Sequence, residues 1–260
     1  MRVAVLISGQ LRNWKIAADN HKWFWKTINR PELEIDYFIH TWNYSCDRPG
    51  ASIPYTKRVV TQEEFEEVVE YYEPKKSIFE NKPQKSFYSN DHWSGLFYSL
   101  CQTLLLKRQY ELENNFNYDI VIKTRPDVVF DPGQTCYIPK LDNGVIHSPH
   151  GGLMEMEFNM YNIDEIVFVG NSYTMDLLIN LYAYRQLKIR QTEEGLLNVH
   201  PLGPGTLMHE YFRDYGITPL FGNLLWHETL IKEGCPTDVD MFDSKDFKRM
   251  EKYFRSWYEK

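Results

Sequence analysis

Apolar positions along this chain fall into two rhythms, short unbroken runs and stripes at helical spacing. Residues 3–7, Val-Ala-Val-Leu-Ile, form a compact run closed by Ser8-Gly9-Gln10. That is the profile of a first strand buried on both faces of a parallel sheet. Residues 12–29 read as a helix with Ile16, Trp23 and Ile28 among its apolar positions, stopped near Pro31. Residues 35–40 make a second strand ending in His40-Thr41-Trp42-Asn43, and residues 44–55, rich in Pro, Gly and Ser, read as a loop. A helix over 61–72 opens on a Thr61…Glu64 capping box, its acidic run of Glu63, Glu64, Glu66 and Glu67 forming a solvated face. Residues 76–79 suggest a short third strand.

Asp91 is placed to cap a long helix reaching about Asn114, with Leu96, Leu100, Leu104 and Leu105 on its buried stripe. Residues 144–147 read as another short strand, His150-Gly151-Gly152 as a loop, and 166–169 as the last clear strand. Ser172 is placed to cap a helix to about Leu187. A Gly/Pro-rich turn over 201–205 leads into a helix to about Tyr215. Near the C-terminus Phe247, Met250, Phe254 and Trp257 recur three to four residues apart among five Lys and Arg. This amphipathic basic helix suits docking on the parent domain, or peripheral contact with an anionic membrane or a partner. Strands alternating with helices predict an α/β fold, a mostly parallel central sheet flanked by helices. The expected organisation is a single domain over 1–240 with the helix of 241–260 packed on it.

The most informative stretch is 118–130, Tyr-Asp-Ile-Val-Ile-Lys-Thr-Arg-Pro-Asp-Val-Val-Phe. Its β-branched run ends in Arg125-Pro126-Asp127, and Pro126 cannot donate to a central ladder, so the chain leaves the sheet there. A guanidinium and a carboxylate are thereby held at the carboxyl end of a strand, where open α/β sheets bind ligands. A pair closing a strand–loop corner is the plainer use of the same residues; a metal or phosphate site is the other.

Composition narrows the field. With 260 residues, 43% apolar, the chain can bury a sizeable core, and its 15% aromatic share suits sugar and base pockets as well as ordinary packing. A net charge of −7 argues against nucleic-acid binding through a basic surface. The four scattered cysteines show no C-x-x-C pair, so neither structural zinc nor a disulfide framework is indicated. No stretch approaches the roughly 20 apolar residues that span a bilayer, and the 3–7 run is too short for a signal sequence. The expectation is a soluble, cytoplasmic protein with reduced thiols.

Motif chemistry excludes more. No G-x-x-x-x-G-K-[ST] occurs, no G-x-G-x-x-G follows the first strand, and no G-x-S-x-G is present. P-loop enzymes, dinucleotide-binding Rossmann domains and nucleophile-elbow hydrolases therefore lack support. What remains is Ser8-Gly9-Gln10-Leu11-Arg12, the Phe38-Ile39-His40-Thr41-Trp42 strand end, the Tyr118-Asp119 to Arg125-Pro126-Asp127 segment, Asn162-Ile163-Asp164 to Phe168-Val169-Gly170, and Gly203-Pro204 leading to the Tyr211 helix. In this order, across roughly residues 1–220, they resemble putative glycosyltransferases of viral, phage and bacterial surface-polysaccharide loci.

That resemblance implies a GT-A-like (nucleotide-diphospho-sugar transferase) fold, a UDP- or GDP-linked sugar donor, a glycan acceptor, and a divalent metal, Mn2+ or Mg2+; a viral member would work in the host cytoplasm. The chain departs from the pattern at two places. Arg125 stands where the Asp-x-Asp signature has its first acid, and Gly205 follows Gly-Pro where a Glu is common. By the resemblance Asp127 matches the second acid and would meet the metal. Ser8, Gly9, Gln10 and Arg12 would hold the nucleotide, Arg125 the ribose or diphosphate, and His40 and Trp42 would line the donor pocket.

Independently of family, cleaving a sugar from a nucleoside diphosphate develops negative charge that a metal ion or arginines would stabilise. An inverting reaction needs a base for the acceptor hydroxyl. Asp164 is the first candidate, with Glu155, Glu157 and Glu165 as rivals; His147, His150, His200, His209 and His227 are candidate further ligands. Two other functions compete: a noncatalytic carbohydrate- or nucleotide-binding protein of the same fold, and a sugar-1-phosphate nucleotidyltransferase. The second of these would want a glycine-rich basic loop after strand one, and only one glycine stands there.

Overall fold

A computed structural model describes residues 1–28, 32–47, 56–81, 92–130, 136–149, 151–154, 160–163, 166–193, 204–221 and 228–230. In chain order the elements are β1 (Arg2–Ser8), α1 (Trp14–Lys26), β2 (Glu34–Trp42), β3 (Tyr44–Asp47), β4 (Thr56–Val59), α2 (Gln62–Tyr72), β5 (Lys76–Glu80), α3 (His92–Asn114), β6 (Ile120–Thr124) and β7 (Val128–Phe130). There follow β8 (Val145–Ser148), β9 (Gly151–Met154), β10 (Met160–Ile163), β11 (Phe168–Gly170), α4 (Ser172–Asp176), a 3-10 turn (Leu177–Asn180), α5 (Leu181–Glu193), α6 (Pro204–Asp214), β12 (Thr218–Phe221) and β13 (Glu228–Leu230).

Seven strands form one sheet in the order β12-β8-β11-β6-β1-β2-β5. β1, β2, β5 and β6 run parallel, β12 is parallel to β8, and β11 is antiparallel to both neighbours. The expected α/β architecture with a mostly parallel sheet flanked by helices is therefore present. β1 lies near the middle, and residues Val3 to Ile7 are each 0% exposed. Alternation splits them: Val3, Val5 and Ile7 join α1, α2 and β7 in one core, whereas Ala4 and Leu6 join α3 and the helices after β11 in the other. Each buried Val, Leu or Ile contributes about 1.5–3 kcal/mol.

Several elements differ from the sequence expectation. Residues 44–47 and 56–59 pair as the antiparallel hairpin β3–β4, and Gly151–Met154 pairs with β10 rather than remaining loop. The strand expected at 166–169 begins at Phe168, and β12 and β13 follow it. On α3, Leu105 is 45% exposed while Leu100 and Leu104 are buried. Helix α4 is capped by Asn171, whose side chain accepts from the Thr174 N–H.

Ser172 has a different task. Its hydroxyl donates to Glu111 at 2.6 Å and accepts from Lys107 at 2.5 Å. Lys107 also bonds Glu111 at 2.9 Å and contacts Asp176 at 2.7 Å, as an ion contact rather than a directed hydrogen bond. Glu111 accepts in addition from the Tyr118 N–H at 2.8 Å. Lys107 and Glu111 are wholly buried, so this network ties α3 to α4 and to the approach of β6. Among the described residues no helix is long and apolar enough to cross a membrane. The expected basic helix of 241–260 lies outside the described residues.

Candidate functional site

The chain runs from β1 through α1 to β2 on one side, then returns through α3 to place β6 on the other side of β1. The direction of strand addition reverses there, so the carboxyl ends of β1 and β6 flank a topological switch point, where open α/β sheets place ligands. Leu6 and Ile7 pair with Lys123 and Thr124, which sets the two tips side by side.

After β1 the chain turns at Gly9, whose φ of +132° is closed to most side chains. A Cβ there would stand 3.8 Å from the Pro126 ring, which shows how closely the two loops approach. The Gly9 N–H donates to the His40 carbonyl at 3.2 Å, and the Arg12 N–H to the Gln10 carbonyl at 2.8 Å. Arg58 donates to the Leu11 carbonyl at 2.7 Å while held by Glu64 at 2.6 Å. Thr61 therefore makes its half of the capping box, accepting from the Glu64 N–H, and the Glu64 carboxylate braces the loop through Arg58 instead.

After β6 the chain delivers Arg125 and Asp127. Arg125 donates to both Asp127 oxygens, from Nε at 2.9 Å and Nη2 at 2.8 Å. From the β1 loop, Arg12 reaches the same carboxylate at 2.7 Å. Asp127 is 2% exposed, whereas the Arg12 and Arg125 side chains keep 20% and 14%. Two guanidinium groups thus converge on one buried carboxylate. Helix α1 starts just beyond, with Asn13 in the left-handed region and no acidic residue in its first turn, so its positive end adds to the same field.

α1 also anchors the segment after the tip. The Asn20 amide donates to the Phe130 carbonyl and accepts from the Phe130 N–H, both at 2.7 Å. His21 contacts the Val128 carbonyl at 2.7 Å through Nε2, which must therefore carry the proton, leaving Nδ1 to accept from the Tyr72 hydroxyl at 2.9 Å. Burial lowers the His21 pKa to about 4 against the pull of Val128 and Asp127, so the ring is neutral. Asn20, His21 and Arg58 position the site, yet sequence reading passes over them. The one available signal is two polar residues, Asn20 and His21, inside the buried stripe of α1.

The other expected residues are placed as follows. Ser8 is 4% exposed at the end of β1. His40 is 0% exposed, so it stands behind the strand tips and does not line a donor pocket. Its Nδ1 meets Ser99 at 2.8 Å, and burial lowers its pKa to about 3, so Glu80 at 3.6 Å is no ion-pair partner. Trp42, 7% exposed, packs edge-on to His40 and against Tyr98 at 5.3 Å. Both rings belong to an aromatic cluster between the sheet and α3. His147 is 3% exposed on β8, with its pKa lowered by burial. Asp164, Glu155, Glu157, Glu165, His150, His200 and His227 lie outside the described residues.

A divalent ion was expected at Asp127. That carboxylate takes three nitrogen contacts from two guanidinium groups, so it is already paired with cations. As arranged, Asp127 is engaged by two arginines and does not fit a metal ion. Among the described residues no group of three or more His, Cys, Asp or Glu is placed to hold one. Comparison of the chain with models of known protein families and with the sequences of curated proteins gave no match.

Proposed function

We propose that this chain is a glycosyltransferase of the GT-A kind, moving a sugar from a nucleotide-sugar donor to a glycan acceptor, with the donor's diphosphate at the carboxyl ends of β1 and β6. The observation that carries this reading is the convergence of Arg12 and Arg125 on Asp127 at the switch point of the sheet. The ordered motifs of residues 1–220 support it, since Ser8-Gly9-Gln10-Leu11-Arg12 and Arg125-Pro126-Asp127 meet in space.

In the reaction an acceptor hydroxyl oxygen bonds to the anomeric carbon as the bond from that carbon to the diphosphate breaks. If the reaction inverts, the hydroxyl proton passes to a base, for which Asp164 is the candidate. The electron pair leaves with the diphosphate, and fixed cations beside it lower the barrier because they require no reorganisation as the charge develops.

The test is a panel of UDP-, GDP-, ADP-, CDP- and TDP-linked sugars with the purified chain, reading release of nucleoside diphosphate and thermal stabilisation, since a bound ligand raises the melting temperature by mass action. Turnover of one donor class is the expected result. Neither release nor stabilisation with any donor would overturn the reading. A second reading, a noncatalytic nucleotide- or carbohydrate-binding protein, is favoured by one observation: Asp127, the carboxylate matched to the metal-binding acid, is engaged by arginines. Stabilisation without turnover on any glycan acceptor or water would select it.

A further inference from the structure

We infer that α2 is the element that sets the two halves of the strand tip against each other, with Glu64 and Tyr72 as positioning residues that act through Arg58 and His21. This goes beyond the nucleotide-sugar reading and does not depend on it, because what is positioned is the ion-paired tip itself.

Asp127 yokes Arg12 at 2.7 Å and Arg125 at 2.9 and 2.8 Å. Arg12 and Asp127 belong to segments far apart in sequence, so an element outside both has to set their spacing. The carbonyl just before Arg12 and the carbonyl just after Asp127 are both held, and both holds lead to α2. Near the start of α2 the Glu64 carboxylate takes Arg58 Nη1 at 2.6 Å and Nη2 at 3.1 Å, and the same Nη2 donates to the Leu11 carbonyl at 2.7 Å. At the last position of α2 the Tyr72 hydroxyl donates to His21 Nδ1 at 2.9 Å, and His21 Nε2 donates to the Val128 carbonyl at 2.7 Å. Glu64 and Tyr72 are separated along the helix axis by a rise of about 12 Å. One helix therefore fixes two backbone carbonyls, and through them Arg12 and Asp127.

Both relays are built to transmit position. A carbonyl oxygen only accepts, so the protons along Tyr72, His21 and Val128 are ordered in one sense. Tyr72 is 3% exposed, and burial holds its hydroxyl well above the ordinary tyrosine pKa, so it stays a donor. The two-point grip of Glu64 on Arg58 restrains the guanidinium in rotation as well as distance. Phe65, Val68 and Tyr72 seat α2 in the core it shares with α1 and β7. Lys22 on the Tyr71 carbonyl and the Tyr71 hydroxyl on Asp19 tie α2 to α1 as well.

A residue that merely packs would stabilise the fold whatever stood at position 127. A residue that positions Asp127 loses part of its worth once that carboxylate no longer holds the arginines. The experiment therefore combines Tyr72→Phe and Glu64→Gln, each alone and each with Asp127→Asn, in urea titration of the full chain. Substitutions that do not communicate add within about twofold in the unfolding equilibrium constant. Each of these two is expected to cost about threefold less, or better, in the Asp127→Asn background than in the parent chain. NMR gives a second readout at the tip, the exchange with solvent of the Arg125 Nε–H that donates to Asp127. That exchange is expected to be about fivefold faster in Tyr72→Phe and in Glu64→Gln. In Lys107→Met, whose lesion lies between α3 and α4, it should stay within about twofold of the parent rate. Additive costs would overturn the inference. So would an Arg125 exchange rate that the α2 variants leave unchanged, or that Lys107→Met raises equally.

Discussion

Replacing Asp127 with Asn removes one negative charge and little volume, so it isolates the electrostatic role of the residue. The wild-type carboxylate receives two directed bonds from Arg125, at 2.9 and 2.8 Å, and an ion contact from Arg12 at 2.7 Å. Breaking a buried pair by deleting one partner costs about 3–5 kcal/mol because the remaining charge is stranded. Here the arginines keep 14% and 20% exposure and reach water in part, so the lower end applies, about 3 kcal/mol. For a chain near this size each kcal/mol moves the melting temperature by about 2–4 °C, giving a fall of about 6–12 °C. Urea titration of the two proteins, monitored by tryptophan fluorescence, checks the free energy without adding salt. The second half of the prediction concerns rescue. A bound diphosphate supplies the missing negative charge, so the nucleotide that binds best should raise the melting temperature of Asp127→Asn more than that of the parent chain. A melting shift of about a degree or less would refute the claim that Asp127 yokes the arginines. An equal or smaller rescue would refute its electrostatic basis.

Acid should weaken the fold through His21 and His40, whose buried rings have pKa values lowered to about 4 and about 3. Between pH 6.5, the ordinary histidine value, and those lowered values, the unfolded chain binds protons that the native chain refuses, so stability falls as pH drops. At pH 5 each ring contributes about 2 kcal/mol of this loss, and His21→Gln should flatten the urea-midpoint profile between pH 7 and 5. Lys107→Met removes the buried cation shared by Glu111 and Asp176 and should cost about 3 kcal/mol in urea titration, without changing the affinity of a nucleoside diphosphate. Thr61→Ala removes the cap of α2 and should cost about 1 kcal/mol by the same measurement.

Much of the frame was legible because it is local. The unbroken run at 3–7 needs no partner to announce a strand buried on both faces, and Thr61 caps α2 with the residue three positions on. The strand direction of β11 is not local: three apolar residues read alike in either sense, and only pairing with β6 and β8 decides it. Ser172 and Asn171 are equally good caps by type, and the buried Lys107 and Glu111 draw Ser172 away, leaving the cap to Asn171. Leu105 reads as core by spacing, but α3 turns that position to solvent. At the site, Arg125 and Asp127 were legible as a pair two residues apart. That Arg12 would close on the same carboxylate was not, since the two halves lie far apart in sequence and meet only through sheet order. His40 was misplaced for a related reason. A strand end marks the edge of a sheet, but Ser99 and Tyr98 on α3 cover that edge.

The pairing of β1 with both β2 and β6 also bears on how the polypeptide emerges during synthesis. Until β6 has been made, β1, β2 and β5 can assemble with their helices, but one long apolar side of β1 has no ladder to complete. Such a bare edge is a template for pairing with another chain. Residues 1–115 made alone should therefore aggregate, and the nascent chain should call for chaperone cover until the Ile120–Thr124 strand leaves the ribosome. The same strand brings Arg125 and Asp127, so the step that completes the β1 ladder also brings Arg12, Arg125 and Asp127 together.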